Sequence, residues 1–97
     1  MAVLVDQKLD GVTREMYDGV NARLNAQANP PAGLILHSSH ATEGGWRIVD
    51  VWETAEAYQQ FAEERIGPAV MAYTQEAGIE PRTPETTITG LYDVIRP

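Results

Sequence analysis

His37 and Asp50 are the pair in this chain whose types suit proton transfer. A neutral imidazole takes a proton near neutral pH, and a carboxylate beside it raises its proton affinity and fixes which ring nitrogen carries hydrogen. Whether the two meet depends on a hairpin between two apolar runs, Gly33 to His40 and Trp46 to Trp52, with Gly44-Gly45 as the turn signal. If the loop has two residues (Gly44, Gly45) or four (Thr42 to Gly45), His37 shares a face with Trp46, Asp50 and Trp52. The four-residue loop sets His37 directly opposite Asp50, and the two-residue loop makes them diagonal neighbours. An odd loop instead puts Ser38 and His40 with Asp50, because a one-residue slip turns every side chain to the other face. The competing use of the same residues is architectural: a half-buried histidine bonded for structure, with Asp50 pairing Arg47 or a backbone amide.

Around this pair, Trp46, Trp52, Tyr58, Phe61 and Tyr73 are the rings that would line a flat aromatic pocket between a sheet and its helices. Ligand pockets are mostly apolar with a few placed polar groups. Core and subunit-interface packing is the alternative for each ring. Asn21 and Arg65 lie at the edges of two helical stripes, where they would reach a ligand oxygen or else stay solvated or salt-bridged. His37 and His40 are three apart, so on a strand they point to opposite faces and cannot share a metal, and Glu43 does not complete a site. There is no cysteine, hence no disulfide, zinc-thiolate site, iron–sulfur cluster or thiol nucleophile. No phosphate-cradling glycine loop, nucleophile elbow or propionate-binding basic cluster appears, so we expect no metal and no cofactor.

The elements that must position these groups follow from periodicity. A strand is expected over Ala2 to Lys8, with Asp10-Gly11 as its turn. Thr13 caps a helix whose inner stripe is Met16, Tyr17, Val20, Leu24 and Ala28, and Asn29-Pro30-Pro31 stops it. The two central runs are apolar at successive positions, which predicts strands covered on both faces. Thr54 caps a second helix with Ala57, Tyr58, Phe61, Ala62 and Arg65 inward. Gly67-Pro68 is expected to break it before a further helical segment, Ala69 to Glu76. A last strand runs from Thr86 to Ile95. The order is β-α-β-β-α-β: an α+β, ferredoxin-like sandwich with a four-stranded antiparallel sheet and helices on one face.

Ninety-seven residues make one domain, residues 1–97, and a chain this size buries only about 60–70% of its unfolded surface. Fourteen acidic against seven basic residues give a net charge of −7, which repels nucleic acid and anionic membranes. The N-terminus lacks the basic flank and apolar length of a signal peptide, and no run reaches the ~20 apolar residues of a membrane span. The expectation is a cytoplasmic protein.

The stretch from Pro30 through Pro68, with its H-x(4)-T core continuing to GWRIVDVWET and an amphipathic helix ending EERIGPAV, resembles small bacterial proteins of the dimeric α+β barrel superfamily. Within it the nearest group is the antibiotic-biosynthesis-monooxygenase-like proteins. The resemblance implies a homodimer closed sheet against sheet, which would hide the second apolar sheet face. It also implies a small-molecule substrate, in a superfamily that spans cofactor-free oxygenases on polyketide-like phenols, polyketide cyclases and haem-handling enzymes. Three readings stand: a cofactor-free oxygenase in which His37 deprotonates an aromatic or polyketide-like substrate, a cyclase or isomerase using the same pocket and base, and a non-catalytic binding or accessory domain.

Overall fold

Strand β1 (Val3–Asp10) alternates strictly, with Val3, Val5 and Gln7 buried and their neighbours less so, and this alternation gives the sheet its two faces. In the computed structural model, which describes residues 1–97, β1 is followed by α1 (Arg14–Leu24), β2 (Leu34–Thr42) and β3 (Gly45–Trp52). Then come α2 (Ala55–Phe61), α3 (Gly67–Ala77) and β4 (Glu85–Gly90). The sheet is antiparallel throughout, in the order β2-β3-β1-β4, with the helices packed on one face. This is the expected ferredoxin-like α+β fold. No helix is long and apolar enough to cross a membrane.

Both threonine caps form. The Met16 amide donates to Thr13 Oγ1 at 3.2 Å and the Ala57 amide to Thr54 Oγ1 at 3.0 Å, each satisfying an otherwise unpaired first-turn donor. Strands β1 and β2 each run two residues past the expected Lys8 and His40, and three further differences are larger. Helix α1 ends at Leu24, not at the prolines, because Asn25 turns left-handed (φ 51°, ψ 38°) and its amide returns to Asn21 O. Gly67-Pro68 does not break the second helix. Residues Ala62–Ile66 form one wide turn in which the Gly67 amide bonds Ala62 O, five residues back, and Gly67 itself is helical (φ −54°). The widened turn takes up the missing Pro68 amide, so α2 and α3 run on continuously. Strand β4 stops at Gly90, short of Ile95.

The core is small. Trp52 and Val5 are its fully buried centre, with Val3 and Tyr58 packed against them, and eight of 97 residues are buried in all. No residue of α1 is fully buried, so this helix roofs the sheet without sealing it. On the opposite face, which carries no helix, the pairing aligns Leu4, Val51 and Leu36 in one row, with Leu36 59% exposed. Arg47 and Asp6 share this face in a bidentate ion pair (2.6 and 2.7 Å). That pair holds the Asp6 carboxyl below its usual range.

Candidate functional site

The β2–β3 hairpin decides what faces Asp50. Thr42 pairs with Gly45, leaving Glu43-Gly44 as a two-residue loop, with Gly44 at φ 83°, a conformation that favours glycine. The pairing therefore has the register expected of the longer even loop, closed by one more pair, and His37 lies directly opposite Asp50. Val5 flanks Asp50 on its other side, so the carboxylate rises from the middle of the sheet under the helices. Ser38 and His40 fall on the opposite face, where His40 pairs across from Arg47.

His37 Nδ1 is 2.8 Å from Asp50 Oδ1. The second oxygen, Oδ2, accepts from Trp52 Nε1 at 3.3 Å. Since a carboxylate only accepts, Nδ1 carries the hydrogen and Nε2 is left as an acceptor. Tyr17 Oη, from α1, is 2.8 Å from Nε2 and donates to it. The result is a directed chain from Tyr17 to His37 to Asp50. The hydrogen bond to Asp50 raises the His37 pKa; partial burial opposes it, and the charge of Asp50 adds to the rise. The Asp50 side chain is 9% exposed and that of His37 42%, so the chain runs from the interior outward.

Tyr17 is held in place by Trp46, whose ring stacks under it at 5.2 Å and 21°. Sequence reasoning placed Tyr17 only in the apolar stripe of α1. The signal was present, since a tyrosine on the inner stripe of a sheet-covering helix brings a hydroxyl to the sheet. Helical spacing does not say which strand residue it meets.

A cavity of about 600 Å³ opens over this chain, walled by Tyr17, Asn21, His37, Asp50, Trp52 and Phe61 among others. Tyr58 lies behind Trp52, edge-on at 5.7 Å, where its hydroxyl accepts from Gln7 Nε2 at 2.9 Å and burial raises its pKa. Tyr73 lines a second, smaller cavity and carries the Arg23 guanidinium over its ring at 5.3 Å. Arg65 donates to Leu24 O (2.8 Å) and Asn29 O (3.0 Å) while stacking on Phe61, so it ties down the end of α1 and the segment after it. The structure thus brings His37, Asp50, Trp52, Phe61 and Asn21 to one cavity. Trp46 supports it from below, and Tyr58, Tyr73 and Arg65 stand outside it. No three His, Asp or Glu side chains converge as a metal site would require.

No family model and no curated protein matches the sequence. Solved structures do match its fold. SnoaB from Streptomyces nogalater, described as a cofactor-independent oxygenase, superposes with a TM-score of 0.63 at 15% identity, covering 97% of this chain and 95% of SnoaB. A putative antibiotic biosynthesis monooxygenase from Deinococcus radiodurans gives 0.61 at 17% identity, over 99% and 97% of the two chains. A protein of unknown function from Nitrosomonas europaea gives 0.65 at 18% identity, over 99% and 92%.

Proposed function

For a chain with the fold of the antibiotic-biosynthesis-monooxygenase-like proteins of the dimeric α+β barrel superfamily, we propose a cofactor-free, monooxygenase-like activity. Its substrate is an aromatic or polyketide-like small molecule, and His37 is the base. The observation that carries this reading is the Tyr17–His37–Asp50 chain opening into a cavity walled by Trp52 and Phe61. SnoaB supports the absence of a cofactor, as an oxygenase of the same fold described as cofactor-independent.

The steps follow from the hydrogen-bond directions. A phenol, or a carbon acid beside a carbonyl, is set against Tyr17 Oη and gives its proton there while Tyr17 passes its own to His37 Nε2. Asp50 holds the resulting imidazolium. The negative charge left on the ligand spreads over its ring, and the electron-rich carbon meets dioxygen directly. With no cofactor to supply electrons, the substrate provides all four: the carbon–oxygen bond forms as a peroxide that takes back the proton held by His37, and the O–O bond breaks as the same carbon gives up its second hydrogen. Overall the reacting ring carbon, a methylene in the substrate's keto form, loses two hydrogens and gains one oxygen atom as a carbonyl, and the second oxygen leaves as water.

A homodimer belongs to the same reading. The helix-free face shows the row Leu4, Val51 and Leu36, and beyond it the exposed side chain of Ile95. A second copy laid against that face would remove them from water.

The test is oxygen uptake with 1-naphthol, 1,5-dihydroxynaphthalene and 1-tetralone, comparing wild type with His37→Ala. We expect uptake by the wild type and a loss of about 10²–10⁴-fold in a folded variant, the usual worth of a positioned base. Equal uptake by the variant would remove His37 from the mechanism. A rearranged product formed equally well under nitrogen would move the function to cyclisation or isomerisation.

A further inference from the structure

Behind Tyr17 lies a second cavity of about 150 Å³, between the sheet and helices α1 and α3. It differs in chemistry from the first. Leu9, Val12, Met16, Val20 and Val70 supply its walls. Its polar groups are largely occupied elsewhere: Thr74 Oγ1 donates to Val70 O at 2.8 Å, and Gln7 Nε2 to the Tyr58 hydroxyl at 2.9 Å. The back wall depends on a glycine. Gly19 has no side chain where a Cβ would run into the Tyr73 ring, so that ring closes the chamber from α3, under the Arg23 guanidinium. The two cavities adjoin, because Gln7, Tyr17, Asn21, Ile48 and Ile66 line both.

We propose that the two chambers form one bipartite ligand site. The larger takes a hydroxylated ring against Tyr17 and His37, and the smaller takes an apolar appendage of that ring, a short alkyl chain or a second carbocycle without polar substituents. This inference rests on the functional reading above and adds the shape of the substrate. A chamber of this volume accepts a guest about the size of benzene, so the appendage is limited to roughly four to six carbons. Arg82 and Asn21 also line the chamber and are its polar points, so an appendage that fills the space among Leu9, Val12, Met16, Val20 and Val70 is apolar. Tyr17 is the hinge of the arrangement: its hydroxyl belongs to the proton chain, and its ring edge belongs to the wall between chambers.

The test uses the whole protein and a series of 4-alkylphenols from methyl to octyl. Affinity is read by calorimetry, and the position of the hydroxyl by the NMR signals of the His37 imidazole. Each methylene buried is worth about 0.8 kcal/mol, or roughly fourfold in affinity. We expect that gain per carbon through about butyl, then a plateau or a fall. Val70→Phe, which fills the chamber, is expected to flatten the series, and Val70→Met serves the same purpose if the larger ring disturbs folding. His37 signals that respond to every phenol, with affinity independent of chain length, would overturn the second chamber and leave the proton site standing. A gain continuing unchanged to octyl, and equal in the filled variant, would mark surface partitioning and also overturn it. No binding and no His37 response from any member would overturn the functional reading together with the inference that rests on it.

Discussion

Replacing Asp50 by asparagine keeps the shape of the side chain and removes one acceptor, and the loss falls on one of two donors. Asp50 accepts from His37 Nδ1 at 2.8 Å and from Trp52 Nε1 at 3.3 Å, one donor per oxygen. Asparagine has one acceptor oxygen and an amide that only donates. If its oxygen stays on Trp52, its amide faces His37 Nδ1, which must then lose its hydrogen. Nε2 then becomes the donor, and the bond to Tyr17 runs backwards. The base can no longer take the tyrosine proton, so activity falls although no residue of the cavity wall has moved. If the oxygen stays on His37 instead, the buried indole N–H is orphaned. A hydrogen bond to a charged group is worth about 1.5–3 kcal/mol; because His37 is 42% exposed, we take the low end, about 1–2 kcal/mol. For a domain of this size that is a fall of about 4–16 °C in Tm, measured at fixed protein concentration by calorimetry. The sign with pH is determined as well. The His37 pKa is raised in the folded state above the ordinary histidine value of 6.5, so the pair's contribution is complete below that value and is lost as pH rises through the folded pKa. The gap between wild type and Asp50→Asn is therefore widest below the ordinary histidine value and narrows as pH rises through the raised pKa of folded His37. Catalysis runs the other way, since a neutral His37 is needed, and activity rises with pH through an apparent pKa above the ordinary histidine range. A stability gap that widens with pH, or an unchanged pH–activity profile in the variant, would refute the tautomer argument.

Gly19→Ala forces a methyl into the Tyr73 ring, so α1 and α3 must part; chemical denaturation should show a loss of about 1–3 kcal/mol, the usual result of overpacking. Leu36→Asp places a charge in the exposed apolar row of the helix-free face while leaving the His37 face untouched. Sedimentation velocity should show wild-type dimer and variant monomer, and a wild-type monomer at micromolar concentration would count against the paired-sheet assembly. In the oxygen assay His37→Ala should lose about 10²–10⁴-fold, and in the alkylphenol series affinity should climb only until the smaller chamber is full.

What was legible in the sequence and what was not divides along a physical line. The threonine caps at Thr13 and Thr54 were legible because a cap is a bond between residues three apart and needs no tertiary information. That His37 and Asp50 share a face was one of the two outcomes strand parity allows, and the even Glu43-Gly44 loop of the structure selects it. Tyr17 escaped because its partner is set by how α1 crosses the sheet, and periodicity fixes the inner stripe of a helix without fixing what it lies over. For Arg65 the sequence leaves a ligand oxygen, solvent or a salt bridge open as partner; in the structure its guanidinium donates to the carbonyls of Leu24 and Asn29, since a helix end short of partners is a strong local demand. Gly67-Pro68 looked like a stop because both residues disfavour an ordinary helix interior. The wide turn at Ala62–Ile66 gives up one regular bond and keeps the rod continuous, a compromise visible only once packing rewards it. The same turn leaves Ile66 on the wall shared by both chambers.

The thin core and the two chambers are one fact seen twice. A fully packed sandwich would bury the inner stripe of α1, yet none of its residues is fully buried, and the space withheld from them is the space of the cavities. The smaller chamber leaves about 150 Å³ unfilled between the sheet and α1 and α3, and side chains around unfilled space lose packing partners. Small domains have only about 5–15 kcal/mol in total. A 97-residue chain that leaves this chamber open, and leaves Leu36 uncovered on its other face, would gain stability from whatever fills the one and covers the other. The ligand and the second copy proposed above would each bind the folded state alone and so add to its stability. Occupancy of the site and integrity of the fold would then be linked, so a ligand that fills the smaller chamber should raise Tm, and more so the further its concentration exceeds its Kd.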